Sequence, residues 1–156
     1  MGIPPAKRIM ILVVMILIPV VLLAIRSAMS QRPNNLGVQD EKLAPCPSSP
    51  NCVSSQTESE QHAIEPLPFE PGFKVKEAIV NALSSMPRTV IIEETDDYVY
   101  AESTSLIFRF VDDVEVWIDR ENNLIHFRSA SRTGYSDMGV NRSRIEKLKS
   151  SIQSYM

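Results

Sequence analysis

The most regular hydrophobic pattern in the chain is an apolar run near its amino terminus, where every residue from 9 to 25 is apolar. As a helix this run would extend over about 25 Å, at the short end of what crosses a bilayer. Its flanks carry basic residues and no acidic ones: Lys7, Arg8, Arg26 and Arg32. We predict a transmembrane signal anchor over 9–25, preceded by a short cytoplasmic segment over 1–8. A cleaved signal peptide is the alternative, because Ala28-Met29-Ser30 is a fair cleavage site.

After this run the apolar pattern becomes irregular and then helical. Residues 26–42 are predicted to be a linker, and the proline- and serine-rich character continues to about residue 61. Residues 73–86 carry apolar side chains three and four positions apart, and Pro87 ends this predicted helix. A second helix is predicted over 141–155, where Ile145, Leu148 and Ile152 form an apolar stripe.

Between the two helices the pattern changes to short runs of β-branched and aromatic residues separated by polar turns. Strands are predicted over 89–94, 98–103, 106–111, 114–119 and 124–130, with a short edge strand over 62–67. The residues from 114 to 119 alternate between apolar and polar, as in a half-buried strand. We therefore predict an α+β domain over 43–156, with an antiparallel sheet of four to five strands packed by two helices and preceded by one N-terminal transmembrane helix.

Charge is distributed unevenly along the 156 residues, whose formal net charge is −3. Residues 33–156 hold 12 basic and 19 acidic side chains, a net charge of −7. This balance disfavours a nucleic-acid partner, because binding phosphates requires basic surface. The absence of a second long apolar run excludes a multi-span transporter. We predict a single-pass protein of the cytoplasmic membrane whose acidic C-terminal domain lies on the external (periplasmic) side.

The chain has two cysteines, Cys46 and Cys52. Outside the cytoplasm, two cysteines so close together normally form a disulfide. Closing this ring would stabilise the fold by roughly 2–2.5 kcal/mol. Zinc binding completed by His62 and His126 is conceivable but disfavoured, and no metal or other cofactor is predicted.

Three separated motifs give a resemblance to a known family. They are LAPCPSSPNCVSS at 43–55, FRFVDDVE at 108–115 and RSASRTGYSDMGVNR at 128–142. In this order they resemble the domain of unknown function 1499 family, over about residues 36–153. The family has no assigned activity, so the resemblance implies no catalytic residue. It implies a protein that is exported or membrane-anchored.

The third motif lies in the most basic part of the chain, since residues 120–149 hold seven basic and three acidic side chains. Arginine side chains, hydroxyl groups and a helix N-terminus are features of sites for anions or carboxylates. The candidate ligand-binding residues are Arg109, Arg128, Arg132, Tyr135, Asp137, Asn141 and Arg142. The alternative is that these arginines form structural ion pairs with the acidic residues of 40–119, where the net charge is −11.

The sequence favours a non-catalytic binding or scaffolding module at the cell envelope. Its predicted partners are the lipid bilayer, through residues 9–25, and an envelope protein or an anionic ligand. The alternative is a hydrolase that acts on an envelope component through the loop at 128–142. A triad of Ser136, His126 and Asp137 is formally available for that chemistry.

Overall fold

The computed structural model describes residues 4–28 and 30–156 of the chain. The elements within these residues follow one another as α1 (Pro5–Ala28), β1 (Cys52–Ser54), β2 (Leu67–Pro68), α2 (Val75–Ser85), β3 (Thr89–Glu94), β4 (Tyr98–Thr104), β5 (Val111–Asp119), β6 (Leu124–Ser131) and α3 (Val140–Gln153).

The N-terminal apolar run forms α1, and side chains such as Leu12 and Met15 are exposed along it. Over residues 4–28 and 30–156, no helix combines the length and the apolar character that crossing a membrane requires. The predicted transmembrane signal anchor over 9–25 is therefore wrong, and so is the single-pass location that depended on it.

The sheet has six antiparallel strands instead of the four to five predicted, in the order β1-β6-β5-β4-β3 with β2 also paired to β6. The prediction differs from the structure in two places. Two short strands, β1 and β2, share the outer edge of β6 and lie where little or no apolar alternation is visible. In contrast, most of the predicted strand 106–111 is a loop, and β5 begins at Val111.

The two faces of the sheet are covered by different parts of the chain. Helices α2 and α3 pack on one face and form the main core, with buried side chains such as Ile79, Ile145 and Phe127. Residues 32–44, called the strap here, cross the other face. We call this the strap face, and the face covered by α2 and α3 the helix face. Leu43 of the strap packs on Tyr98 and Tyr100 of β4. The strap face is rich in charged side chains because it presents the polar positions of β4, β5 and β6.

The pairing of β4, β5 and β6 defines two ends of the sheet. At one end β4 finishes, β5 starts and β6 finishes, so the loops 105–110 and 132–139 leave the sheet side by side. The amide of Arg132 donates to the carbonyl of Val111 across 3.1 Å, which joins the bases of these loops. We call this the loop end. The turn 120–123 between β5 and β6 lies at the opposite end.

Candidate functional site

A fully buried carboxylate, Glu115, lies at the centre of the strap face. Its Oε1 accepts hydrogen bonds of 2.8 Å from the Gly37 amide and from the Tyr98 hydroxyl. Its Oε2 accepts a hydrogen bond of 2.7 Å from Nη1 of Arg128, the cross-strand neighbour on β6. Burial and this carboxylate raise the pKa of Tyr98 above its ordinary range, so the hydroxyl stays a donor. Glu115 thus connects the strap, β4 and β6.

A second ionic network lies closer to the loop end of the same face. Arg132 donates from Nη2 to Asp113 across 2.7 Å and to Glu102 across 2.5 Å. Arg32, at the start of the strap, donates to the same Glu102 oxygen across 2.7 Å. Burial acts to raise the pKa of Glu102, but the hydrogen bonds from Arg132, Arg32 and Tyr100 outweigh it and hold that pKa below its ordinary value. This network fastens the beginning of the strap to β4.

A third network lies on the helix face, where the side chain of Arg144 is buried. It donates to Asp112 of β5 and to the side-chain oxygen of Asn141, each across 2.5 Å. The Ser129 hydroxyl donates to that same oxygen across 2.6 Å, and the Asn141 amide group donates to the carbonyl of Asn51 across 2.9 Å. These contacts join α3 to β5, to β6 and to the segment before β1.

The candidate ligand-binding residues do not converge on one point. Arg128 and Arg132 belong to the two networks of the strap face, whereas Asn141 is buried on the helix face. Arg142 donates to the carbonyls of Ala63 and Gln61. The arrangement of Arg128 and Arg132 is that of structural ion pairs, and a role for the group in anion binding stays a prediction.

The remaining three candidates lie in the loops of the loop end. The Asp137 carboxylate accepts hydrogen bonds from the amides of Gly139 and Asn141 at 3.0 Å and 2.7 Å, and so caps α3. The side chain of Tyr135 is exposed, and so is that of Arg109, whose backbone is left-handed with φ of 57°. This loop conformation removes Arg109 from the sheet position that alternation implied.

His126 lies on the strap face, and its neighbours are Ser55 and Asp119 instead of the Ser136 and Asp137 of the triad formally available in the sequence. Its Nδ1 is 3.1 Å from the Ser55 hydroxyl, and its ring stacks on Trp117 with centroids 5.2 Å apart. Its Nε2 is 3.8 Å from Asp119, and Asp137 instead caps α3. Burial lowers the pKa of His126, although Asp119 acts in the opposite direction. A cleft of about 390 Å³ beside this group is lined by residues that include Trp117 and Asp119.

Metal ligands do not cluster in the described part of the chain, where no group of three or more His, Cys, Asp or Glu side chains could hold an ion. Cys46 and Cys52 form the predicted disulfide, with Cα atoms 5.6 Å apart. This confirms the structural role expected for the pair. His62, the other histidine, has its Nδ1 2.9 Å from the carbonyl oxygen of Cys52.

A group of apolar side chains that was not predicted from the sequence is exposed at the loop end. It comprises Leu106, Ile107, Phe108, Tyr135 and Met138, and we call it the loop-end surface. Met138 is 95% exposed and Ile107 is 70% exposed, values that place these side chains at the tips of their loops. The sequence did contain a sign of this surface, because residues 106–108 are three consecutive apolar residues and a strand with one buried face would not carry them.

The comparisons with known proteins give one informative result. The search of curated proteins gives no match to this chain. The model of a family described as "Protein of unknown function (DUF1499)" matches residues 42–152. This range covers most of the chain and contains the disulfide, the sheet, α2 and all of α3 except its last residue. The chain belongs to the DUF1499 family of proteins of unknown function.

Proposed function

We propose that this protein is a non-catalytic binding module whose contact surface is the loop-end surface. The observation that carries the proposal is the concentration of exposed apolar side chains on two adjacent loops. Single exposed apolar residues are ordinary, whereas several together at one end of a fold mark an interaction site. Burying one such side chain typically contributes about 1.5–3 kcal/mol, so five of them can support a specific contact.

The use of the charged side chains supports binding over catalysis. Glu115, Asp113 and Asp112 each accept a hydrogen bond from a buried or nearly buried arginine. A general acid or base needs a proton-transfer partner in the substrate, and these groups are already engaged with internal partners. The exposed loops instead offer apolar area, which favours contact without chemistry.

The proposal is tested by photocrosslinking in living cells. A benzoylphenylalanine in place of Ile107 is expected to give adducts, because this side chain would lie in the contact. The matched control carries the same group in place of Glu121, an exposed residue at the opposite end, and should give none. Adding Leu106→Ser and Phe108→Ser should remove the adducts at 107. Equal adducts at both positions, or none at 107, would contradict the proposal.

Hydrolysis is the second candidate function, and one observation favours it. Ser55, His126 and Asp119 follow one another as in a nucleophile, base and orienting acid. However, the Ser55 oxygen also accepts the Phe127 amide at 2.9 Å, and the contact from His126 to Asp119 is longer than a hydrogen bond. A fluorophosphonate probe decides between the two. Labelling that disappears in Ser55→Ala would favour hydrolysis, and no labelling is expected from a binding module.

A further inference from the structure

We propose that the partner of the loop-end surface is the interface of a phospholipid bilayer that contains anionic lipids. The tips of loops 105–110 and 132–139 would insert among the headgroups while the sheet stays in water. This inference rests on the proposed function and adds the chemistry of the partner. It requires no element to cross the bilayer, because only loop tips enter the interface.

The shape of the surface favours a lipid interface over a protein partner. A protein interface is built from closely fitting surfaces, in which anchor side chains fill pockets. The apolar side chains here project from two loop tips, with Met138 and Tyr135 on one loop and Leu106 and Ile107 on the other. Separate apolar projections fit a fluid interface, which closes around each of them without a matching pocket.

The charges at the loop end favour anionic headgroups. The exposed Arg88 lies at the base of loop 105–110 and donates from Nε to the carbonyl of Thr104 across 3.1 Å. Arg109 is exposed next to Phe108. A basic side chain beside an apolar loop tip can reach phosphates while its neighbour enters the apolar layer.

The acidic residues near the loop end are engaged inside the fold. Glu102 binds Arg32 and Arg132, Asp112 binds Arg144, and Asp137 caps α3. Their charges are therefore partly offset by neighbouring cationic or N–H groups and repel an anionic surface less than solvated carboxylates would. The loop end therefore has less uncompensated negative charge than residues 33–156 as a whole, whose net charge is −7.

The path of the chain brings further apolar surface to the same end. Arg32 is held by Glu102, two residues before the end of β4, so the connection to α1 leaves the body beside loop 105–110. Helix α1 exposes apolar side chains such as Ile9, Leu12 and Leu22. An interface that takes up the loop tips would be within reach of this helix as well.

The test uses the full oxidised chain with one added cysteine carrying an environment-sensitive nitrobenzoxadiazole dye. The native cysteines are joined in the disulfide, so only the added thiol reacts. The dye is placed at Ile107→Cys, at Met138→Cys and, as a control at the opposite end, at Glu121→Cys. Vesicles contain phosphatidylcholine, alone or mixed equally with phosphatidylglycerol.

We expect the dye at 107 and at 138 to brighten by roughly twofold or more with the mixed vesicles, and less with phosphatidylcholine alone. The dye at 121 should not respond. Unchanged fluorescence at 107 and 138, an equal response at 121, or an equal response to both kinds of vesicle would overturn the inference.

Helix α1 could bring the chain to vesicles without any help from the loops, so variants of the loops are needed. With the dye at 138, Leu106→Ser together with Phe108→Ser should reduce the response, whereas Val90→Ser with Ile92→Ser, on exposed positions of β3, should not. An unchanged response in the first variant would contradict docking by the loops. If the dyes do not respond to vesicles but the probe at 107 still crosslinks to a protein in cells, the loop-end surface binds a protein. That outcome supports the binding module and contradicts the lipid partner. If there is neither a dye response nor a crosslink at 107, both the binding module and the lipid partner are contradicted.

Discussion

Glu115 is the side chain on which most of the strap face depends. It is fully buried, and its charge is compensated by Arg128, Tyr98 and the Gly37 amide. Removing one partner of a buried ion pair leaves an uncompensated charge, so Glu115→Ala should lower the free energy of unfolding by about 3–5 kcal/mol.

Urea unfolding measures this effect, with Asp97→Ala as the control. Asp97 pairs with Arg120 at the surface, where an ion pair contributes about 0–1 kcal/mol. The double variant Glu115→Leu and Arg128→Met removes both charges and should be more stable than Glu115→Ala. Similar losses in the two single variants would contradict the special role of Glu115.

His126 makes the stability of the fold depend on pH. Burial lowers its pKa below the ordinary 6.5, with Asp119 acting in the opposite direction, so the folded chain binds fewer protons than the unfolded chain in this range. The free energy of unfolding should therefore fall as the pH decreases from about 7 to about 5. Urea titrations should show a smaller fall for His126→Gln. Identical pH dependence in the two proteins would show that His126 does not cause it.

At the scale of single residues, the sequence predicted which charges are available but not how they pair. The uneven distribution of acidic and basic residues made ion pairing of the arginines a real alternative, and the pairs of Arg128 with Glu115 and of Arg132 with Asp113 agree with it. Their identity depends on the register of β5 against β6, which the sequence does not specify. The link between Ser55 and His126 spans 71 residues and left no local signal.

Helix α3 begins in a loop that supplies its own cap. Asp137 accepts the amides of Gly139 and Asn141, so Asp137→Ala should lower the free energy of unfolding by about 0.5–2 kcal/mol. Ser136→Ala is the matched control, because this hydroxyl accepts one longer contact of 3.3 Å from the Met138 amide. Equal losses in the two variants, measured by urea unfolding, would rule out Asp137 as the main cap.

The disulfide holds the segment that leads into β1. Replacing both cysteines, Cys46→Ser with Cys52→Ser, should lower the free energy of unfolding by roughly 2–2.5 kcal/mol, because the unfolded chain loses a closed ring. Ser48→Ala, an exposed change within the same ring, should alter it by no more than about 0.5 kcal/mol. An unchanged free energy in the cysteine variant would mean that the ring is already ordered before the bond forms.

Elements with a strong period were predictable, and those without one were not. The predicted helix 73–86 contains α2, and the strand predicted over 89–94 coincides with β3. Residues 106–110 have the aliphatic and aromatic composition of a strand. However, Arg109 has a left-handed backbone and the Phe110 amide donates to the Ser105 hydroxyl, so these residues form a loop. Strands β1 and β2 are too short to show a period.

For the molecule as a whole, the strap belongs to the same packed unit as the sheet and helices α2 and α3. The buried clusters draw on residues from 36 onward. A chain that starts at residue 30 should therefore unfold within about 0.5 kcal/mol of the full chain. A chain that starts at residue 45 loses Leu43 and the Gly37 amide and should be less stable by at least about 2 kcal/mol. Urea unfolding of the two truncations provides the test, and equal stability would mean that the strap is dispensable.

The sequence could not reveal the strap as part of the body. Extended chain without a regular period looks the same whether it is solvated or packed, and residues 32–42 were predicted within a linker. Leu36 and Val38 nevertheless pack against the tyrosines of β4. The apolar run before it gave a strong local signal, which led to a membrane span that the described helices do not provide.

The two outer edges of the sheet bear on how this protein behaves at high concentration. An unpaired edge strand can recruit another chain, which is a common route to aggregation. The outer edge of β6 is divided between β1 and β2, and the second of these contains Pro68, which has no amide hydrogen to offer. The opposite edge, β3, is interrupted by a bulge between Ile91 and Glu93 and ends in two glutamates. Neither edge presents a long regular ladder, so the sheet resists growth by strand addition into fibrils.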